Sequence, residues 1–239
     1  MTRAAAPAPA THPPLPEGDD KHRAVEAMFD RIAPRYDRLN RIISLGQDRR
    51  WRRHTVGALR LAPGATVLDL GCGTGDLCDV VAAAGYSPIG VDFSSGMLAA
   101  AHTPAPLARA DALALPVPDA SADGVVSGFA LRNFVDLDRF FRECARVLRP
   151  GGRLAALETA EPRGPLLRAG HNIWFRRVVP FVGATLAHDA EAYDYLPRST
   201  AYLPPAGDLL ALVEAAGFAA VARRTFTAGA VQLITGSRR

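Results

Sequence analysis

Apolar positions along the chain follow two regimes. From Val25 to about Arg60 they recur at helical spacing, through Met28, Phe29, Ile32, Tyr36, Leu39, Ile42, Ile43 and Leu45, with breaks at Pro34 and Gly46. That period predicts short helices over 25–60. Beyond Pro63-Gly64 short apolar runs alternate with helical stretches. Residues 66–70 read as a strand, 75–84 as a helix, 88–92 as a strand, and 94–101 as a helix with Ser94 at its N-cap. Strands are predicted near 107–110, 124–127 and 153–158, with a helix over 136–148 ended by Pro150-Gly151-Gly152. After a polar break at 161–164, residues 165–202 read as helical and irregular. A helix over 208–216 closed by Gly217 and two terminal strands, 219–226 and 230–235, complete the chain. Alternation of this kind predicts an α/β fold with a mostly parallel sheet covered on both faces.

Composition narrows the organisation. At roughly 150 residues per domain, 239 residues fit one α/β domain. Pro7, Pro9, Pro13, Pro14 and Pro16 among alanines make residues 1–20 a disordered leader, so 21–239 is expected to be the single domain. With 49% hydrophobic and 22% charged residues, a disordered or coiled-coil chain is excluded. The net charge of +4 comes almost wholly from arginine, since Lys21 is the only lysine, and no nucleic-acid partner is inferred from it. Cys72, Cys78 and Cys144 form neither a C-x-x-C pair nor an even framework, which fits a reducing, cytoplasmic compartment. The histidines show no ligand spacing with Cys or Glu, so no metal is expected. No secretory signal and no run of about 18 apolar residues is seen, so the protein is expected to be at most peripheral to the inner face of a membrane.

The sharpest chemical signal is Val67-Leu-Asp-Leu-Gly71-Cys-Gly73-Thr-Gly75-Asp76, a strand running into glycines and then a helix. Glycines let a backbone turn tightly against a ligand, and a helix N-terminus offers free amides and a positive dipole. The spacing is G-x-G-x-G, neither the G-x-G-x-x-G of a dinucleotide site nor a P-loop. This argues against an NAD-dependent oxidoreductase. Asp69 precedes the glycines, and Asp92 closes the next strand, where a carboxylate can accept both ribose hydroxyls. Asp111-Ala112 follows the third strand, where a carboxylate and a backbone amide can meet an adenine. Together these points resemble the S-adenosylmethionine site of class I methyltransferases. The candidate cofactor residues are Asp69, Gly71, Gly73, Thr74, Gly75, Asp92, Phe93, Asp111, Ala112 and Gly128.

A narrower resemblance rests on further segments. Met28-Phe-Asp-Arg-Ile-Ala-Pro-Arg-Tyr-Asp37-Arg-Leu-Asn40, Asp48-Arg-Arg-Trp-Arg52, Phe129-Ala-Leu-Arg-Asn133, Arg146-Val-Leu-Arg-Pro-Gly-Gly-Arg153 and Ala192-Tyr-Asp-Tyr-Leu-Pro-Arg-Ser199 resemble the UbiE/MenG family. These are the C-methyltransferases of ubiquinone and menaquinone biosynthesis. The resemblance implies a Rossmann-like, seven-stranded sheet with an antiparallel C-terminal strand, preceded by N-terminal helices. It also implies S-adenosyl-L-methionine as cofactor and a prenylated quinol, demethylmenaquinol, as substrate. A related enzyme acting on another lipophilic or polyketide-like molecule is the alternative. Three departures bear on the substrate side. Gly128 stands where the family carries a serine, with Ser127 one position early; Ala187-His188-Asp189 precedes the A-Y-x-Y-L-P segment; and the C-terminal strand has Ala228-Gly-Ala-Val231.

Methylating an aromatic carbon needs an electron-rich quinol that loses a hydroxyl proton, so a base or polarised water is wanted with in-line placement. Arg132 and Asn133, after the fourth strand, are candidates to hold that water or the quinol oxygens, and Tyr36 with Asp37 to close over the sulfonium. A salt-bridged arginine, a capping asparagine and a packed tyrosine are the plainer readings. His188, Tyr193 and Tyr195 are weaker base candidates, and 165–202 is read as a substrate-side insertion. Arg49-Arg50-Trp51-Arg52-Arg53 and the apolar stretch 173–182 suit an anionic membrane interface or a channel for a prenyl chain, or equally a solvated basic face and a core helix. Self-association into a homodimer is compatible with all of this.

Overall fold

The computed structural model describes residues 16–162, 164, 167, 195 and 198–239. The leader up to residue 15, the stretch 173–182, His188 and Tyr193 lie outside the described residues. In chain order the helices are α1 (Gly18–Ile32), α2 (Tyr36–Ile43), α3 (Asp48–Leu59), α4 (Asp76–Ala83), α5 (Ser95–Ala99), α6 (Leu137–Val147) and α7 (Ala206–Ala215). The strands are β1 (Thr66–Leu70), β2 (Ser87–Asp92), β3 (Leu107–Arg109), β4 (Ala122–Gly128), β5 (Leu148–Thr159), β6 (Phe218–Phe226) and β7 (Val231–Arg238). They form one seven-stranded sheet in the order β3-β2-β1-β4-β5-β7-β6. Strands β1 to β5 pair in parallel, and β7 runs antiparallel between β5 and β6. The strand order reverses between β1 and β4, which opens a crevice beyond their C-terminal ends.

The pleat sorts the core. Leu68 and Leu70 pack with Phe140, Phe141, Leu209 and Ile234 on the side of α6 and α7, while Val67 packs with Val56, Leu59, Leu77 and Val81 under α3 and α4. Val25, Met28, Phe29, Ile32 and Leu39 of α1 and α2 enclose Met97 of α5 in a separate cluster. Asp30 locks that packing, because its Oδ1 accepts from the Ser94 hydroxyl (2.6 Å) and the Gly96 amide (2.8 Å).

Boundaries differ from the predicted ones where a tertiary partner intervenes. Helix α1 begins at Gly18, inside the stretch assigned to the leader, and Lys21 Nζ fastens it by donating to Phe134 O at 2.7 Å. Helix α5 stops at Ala99, and the chain beyond it is drawn to the glycine loop, where the His102 amide donates to Thr74 O (3.2 Å). Strand β5 starts at Leu148 rather than Arg153 because Leu148 pairs with Ala122; Pro150-Gly151-Gly152 is absorbed as a register shift instead of a separate turn.

Candidate active site

The loop after β1 needs its glycines. Gly71 has φ 72°, and a Cβ there would lie 2.7 Å from Ala130 Cβ; Gly75 has φ 93°, and its Cβ would lie 2.3 Å from Thr103 Cγ2. The loop is pinned to β2: Gly71 N and Cys72 N donate to Val91 O (2.8 and 3.1 Å), and Gly73 N donates to Asp92 Oδ2 (2.8 Å). Asp92 Oδ1 accepts from Ser94 N at 2.9 Å, so the carboxylate is fixed with one lone pair left on each oxygen. Burial pushes the Asp92 carboxyl pKa up, and the amide donors oppose that shift.

Gly71, Asp92, Phe93, Asp111, Ala112 and Asn133, six of the predicted residues, line one cleft, together with His22. Asp111 is half committed, since its Oδ1 accepts from Leu113 N (2.9 Å). The other predicted cofactor residues lie off the cleft wall. Thr74 Oγ1 donates to Asp37 Oδ1 (2.6 Å), which ties the glycine loop to α2. A Cβ on Gly73 would meet Tyr36 Cε1 at 3.9 Å, and one on Gly128, at the end of β4, would meet Leu77 Cδ2 at 3.4 Å.

Asp69 is buried under the loop. Its Oδ2 accepts from the Cys78 thiol (3.3 Å), its Oδ1 has no partner among the described residues, and desolvation lifts its pKa to about 7. Ser127, next to the position where the resembled family carries serine, is fully buried and donates to Leu70 O (2.7 Å), so it bonds β4 to β1.

The far wall is built from the chain after β4. Phe129 adopts φ 60°, an unfavourable conformation for a bulky residue, and opens a turn that ends in the 3-10 segment Leu131–Asn133. Arg132 is 5% exposed and Glu158, at the end of β5, is 0% exposed. Arg132 Nη1 donates to Glu158 Oε1 (2.5 Å) and Phe129 O (2.8 Å), and Nε donates to Ser199 Oγ (3.2 Å). The guanidinium therefore joins β4, β5 and the end of the 165–202 segment. Asn133 Oδ1 accepts from the Tyr195 hydroxyl at 3.3 Å, and burial pushes the Tyr195 phenol up. The Tyr36 phenol is also pushed up by burial, against the pull of a hydrogen bond with Asn40 and the nearby Arg132 and Arg52 charges. Tyr36, Arg132 and Asn133 thus share one neighbourhood.

Glu158, Ser199 and His22 are the residues that sequence reasoning missed. Glu158 had a signal, a lone acid closing an apolar strand; His22 had none, because its neighbours lie on strands far along the chain. The basic run 49–53 divides: Trp51 and Arg52 are buried, with Arg52 bridging Asp48 (2.6 Å) and Asp76 (2.8 Å), while Arg49, Arg50 and Arg53 are exposed.

The arrangement suits an adenosine ligand with a short charged tail. It offers the fixed Asp92 carboxylate for ribose hydroxyls and, beside it on the wall, the Gly71 end of the glycine loop. No arginine or lysine among the described residues lines the cleft to hold a phosphate. Nor are any three His, Cys, Asp or Glu among the described residues grouped to hold a metal ion.

A sequence profile of the ubiE/COQ5 methyltransferase family matches residues 17–238. The demethylmenaquinone methyltransferase of Roseiflexus sp. (strain RS-1) is 43% identical over 94% of this chain and 98% of its own. The ubiquinone/menaquinone biosynthesis C-methyltransferase UbiE of Syntrophotalea carbinolica is 41% identical over 88% and 92%. Among solved structures, a SAM-dependent methyltransferase from Thermotoga maritima superposes with TM-score 0.63 at 19% identity, over 90% of this chain and 99% of that one. Haemonchus contortus phosphoethanolamine N-methyltransferase 2, in complex with S-adenosyl-L-methionine, gives 0.59 at 16% identity, over 78% and 52%.

Proposed function

Because this chain belongs to the ubiE/COQ5 methyltransferase family and is an S-adenosylmethionine-dependent methyltransferase, we propose that it methylates a ring carbon of a prenylated quinol, demethylmenaquinol, to give menaquinol. S-adenosylmethionine, when bound, supplies a methyl group on a sulfonium. The observation that carries the substrate reading is Asn133, which lines the cleft beside Asp92 and Asp111 and also accepts from Tyr195 of the substrate-side segment. Its amide stands where the cofactor and substrate sides meet, and it orients the quinol oxygen or the water that takes the hydroxyl proton. Arg132 acts through it as a positioning residue, since Glu158, Phe129 and Ser199 already occupy Nη1 and Nε. Tyr36 and Asp37 close the loop side, Asp37 by holding Thr74.

The test is transfer of labelled methyl to demethylmenaquinol, with the product identified by mass spectrometry. Activity is expected only with a reductant such as dithionite, because the oxidised quinone has no hydroxyl proton to lose and a poor carbon nucleophile. Asn133→Ala is expected to lower kcat by roughly 10- to 100-fold with near-normal cofactor affinity. Equal rates with and without reductant, or wild-type kcat in Asn133→Ala, would defeat this mechanism. Methylation of a different lipophilic molecule in a cell lipid extract, with none of demethylmenaquinol, would favour the alternative substrate.

No helix among the described residues is long and apolar enough to cross a membrane. A prenylated quinol resides in a bilayer, and the basic stretch from α2 through α3 is the part of the enzyme that suits contact with it. Between Arg38 and Arg60 the single acidic residue, Asp48, is buried, while Arg38, Arg41, Arg49, Arg50 and Arg53 are exposed. Leu45, 69% exposed with φ 52°, lies in the turn between α2 and α3, and Arg223 and Arg224 of β6 border the groove beside α3. Each arginine near an anionic surface contributes about 1 kcal/mol. Flotation with phosphatidylglycerol vesicles should therefore retain the wild type, and Arg49→Glu/Arg50→Glu/Arg53→Glu should abolish retention. Equal retention by the variant would rule out this stretch.

A further inference from the structure

His22 brings α1 to the cofactor cleft. It follows Lys21, whose bond to Phe134 O (2.7 Å) and position 3.7 Å over the Tyr202 ring set this turn of α1 against the far wall. The imidazole packs on Phe93 with ring centroids 4.9 Å apart and planes at 34°, and the residue lines the cleft together with Asp92, Asp111 and Asn133. Its Nε2 is shielded from solvent and has no hydrogen-bond partner among the described residues. A ring nitrogen removed from water without a partner costs stability, so such atoms are few in folded proteins and each calls for a cause. The ring lines a cleft, so turning its shielded Nε2 toward that cleft is the move by which a bound ligand atom becomes its partner. Adenosine is rich in complementary groups, both hydroxyls and unprotonated ring nitrogens.

We propose that His22 is an adenosine-recognition residue of this enzyme, with Nε2 taking its hydrogen-bond partner from the bound adenosine and the ring completing the wall begun by Phe93. This inference rests on S-adenosylmethionine being the cofactor. It differs from a structural role in a measurable way: the contact exists only in the complex, so removing the nitrogen weakens the ligand and spares the ligand-free fold. His22→Phe keeps an aromatic ring against Phe93 without the nitrogen, and His22→Gln returns a polar group near the position of Nε2.

The experiment is calorimetry of the full chain with S-adenosylhomocysteine and with 5′-methylthioadenosine, which lacks the amino-acid tail, alongside thermal denaturation without ligand. The expected result for His22→Phe is roughly tenfold weaker binding of both ligands, with a ligand-free Tm equal to or above that of the wild type. His22→Gln should recover part of the affinity and carries the test if His22→Phe does not fold: it should then bind both ligands with a loss smaller than that of His22→Ala. Unchanged affinity of His22→Phe, a loss confined to S-adenosylhomocysteine, or a folded His22→Phe protein with a lowered ligand-free Tm would overturn the proposal. Failure of the wild type to bind either ligand would overturn the cofactor reading itself, and the inference with it.

Discussion

Glu158→Ala is expected to destabilise the fold by about 3–5 kcal/mol, the range for removing one partner of a buried ion pair. The carboxylate is fully buried and accepts from Arg132 Nη1 (2.5 Å), Arg132 N (3.2 Å) and Thr159 N (2.7 Å). Truncation would leave the Arg132 charge in a site with 5% exposure, with only carbonyl and hydroxyl acceptors left to it. Replacing both partners by apolar residues of similar volume, as in Arg132→Met/Glu158→Leu, should cost clearly less than Glu158→Ala alone, because no charge is then stranded. Urea denaturation of the three proteins checks this. A Glu158→Ala protein within about 1 kcal/mol of wild type would show the pair to be solvated. The double variant should keep its fold and lose methyl transfer, since the link to Ser199 goes with the guanidinium.

Asp69→Asn is expected to change the pH dependence of stability. Desolvation raises the folded-state pKa of Asp69 to about 7 from its ordinary value of 3.8. The folded protein therefore holds a proton that the unfolded chain has released between these two values. Wild-type stability falls as pH rises through that window, and the cost of the buried anion is fully present above about pH 7, with roughly 4 kcal/mol as its upper bound. Asparagine carries no such cost and keeps an acceptor for the Cys78 thiol. The advantage of Asp69→Asn over wild type should grow by about 2–3 kcal/mol between pH 5 and pH 8 in denaturation measured at both. A difference that stays flat with pH would mean that Asp69 titrates in an ordinary environment.

Much of the architecture was legible in local pattern. The switch from a 3.6-residue to a two-residue period after Pro63-Gly64, the G-x-G-x-G turn, and acids closing or following successive strands are short-range features. Each local preference agrees with the one sheet that can satisfy all of them. Ser94 at the N-cap of α5 and Gly71 at a positive φ needed no distant partner to be anticipated. The strand starts and helix ends that moved did so where backbone groups met partners far along the chain: Leu148 paired with Ala122, and His102 N turned to Thr74 O.

By itself, then, the amino-acid order determined the α/β class, the glycine turn between β1 and α4 and the acid that closes β2, because glycine stereochemistry and hydrophobic periodicity act over a few residues. Only the tertiary structure decided which polar side chains line the cleft and which face each other. Asp69, in the same motif as Gly71, went under the loop to Cys78; Arg132 went to Glu158 and Ser199, while its neighbour Asn133 stayed on the cleft; and His22 arrived on that cleft from the first helix. The physical reason is that a buried charge or ring nitrogen must find a partner in three dimensions, and its burial and partners are set by packing between elements that no sequence period connects.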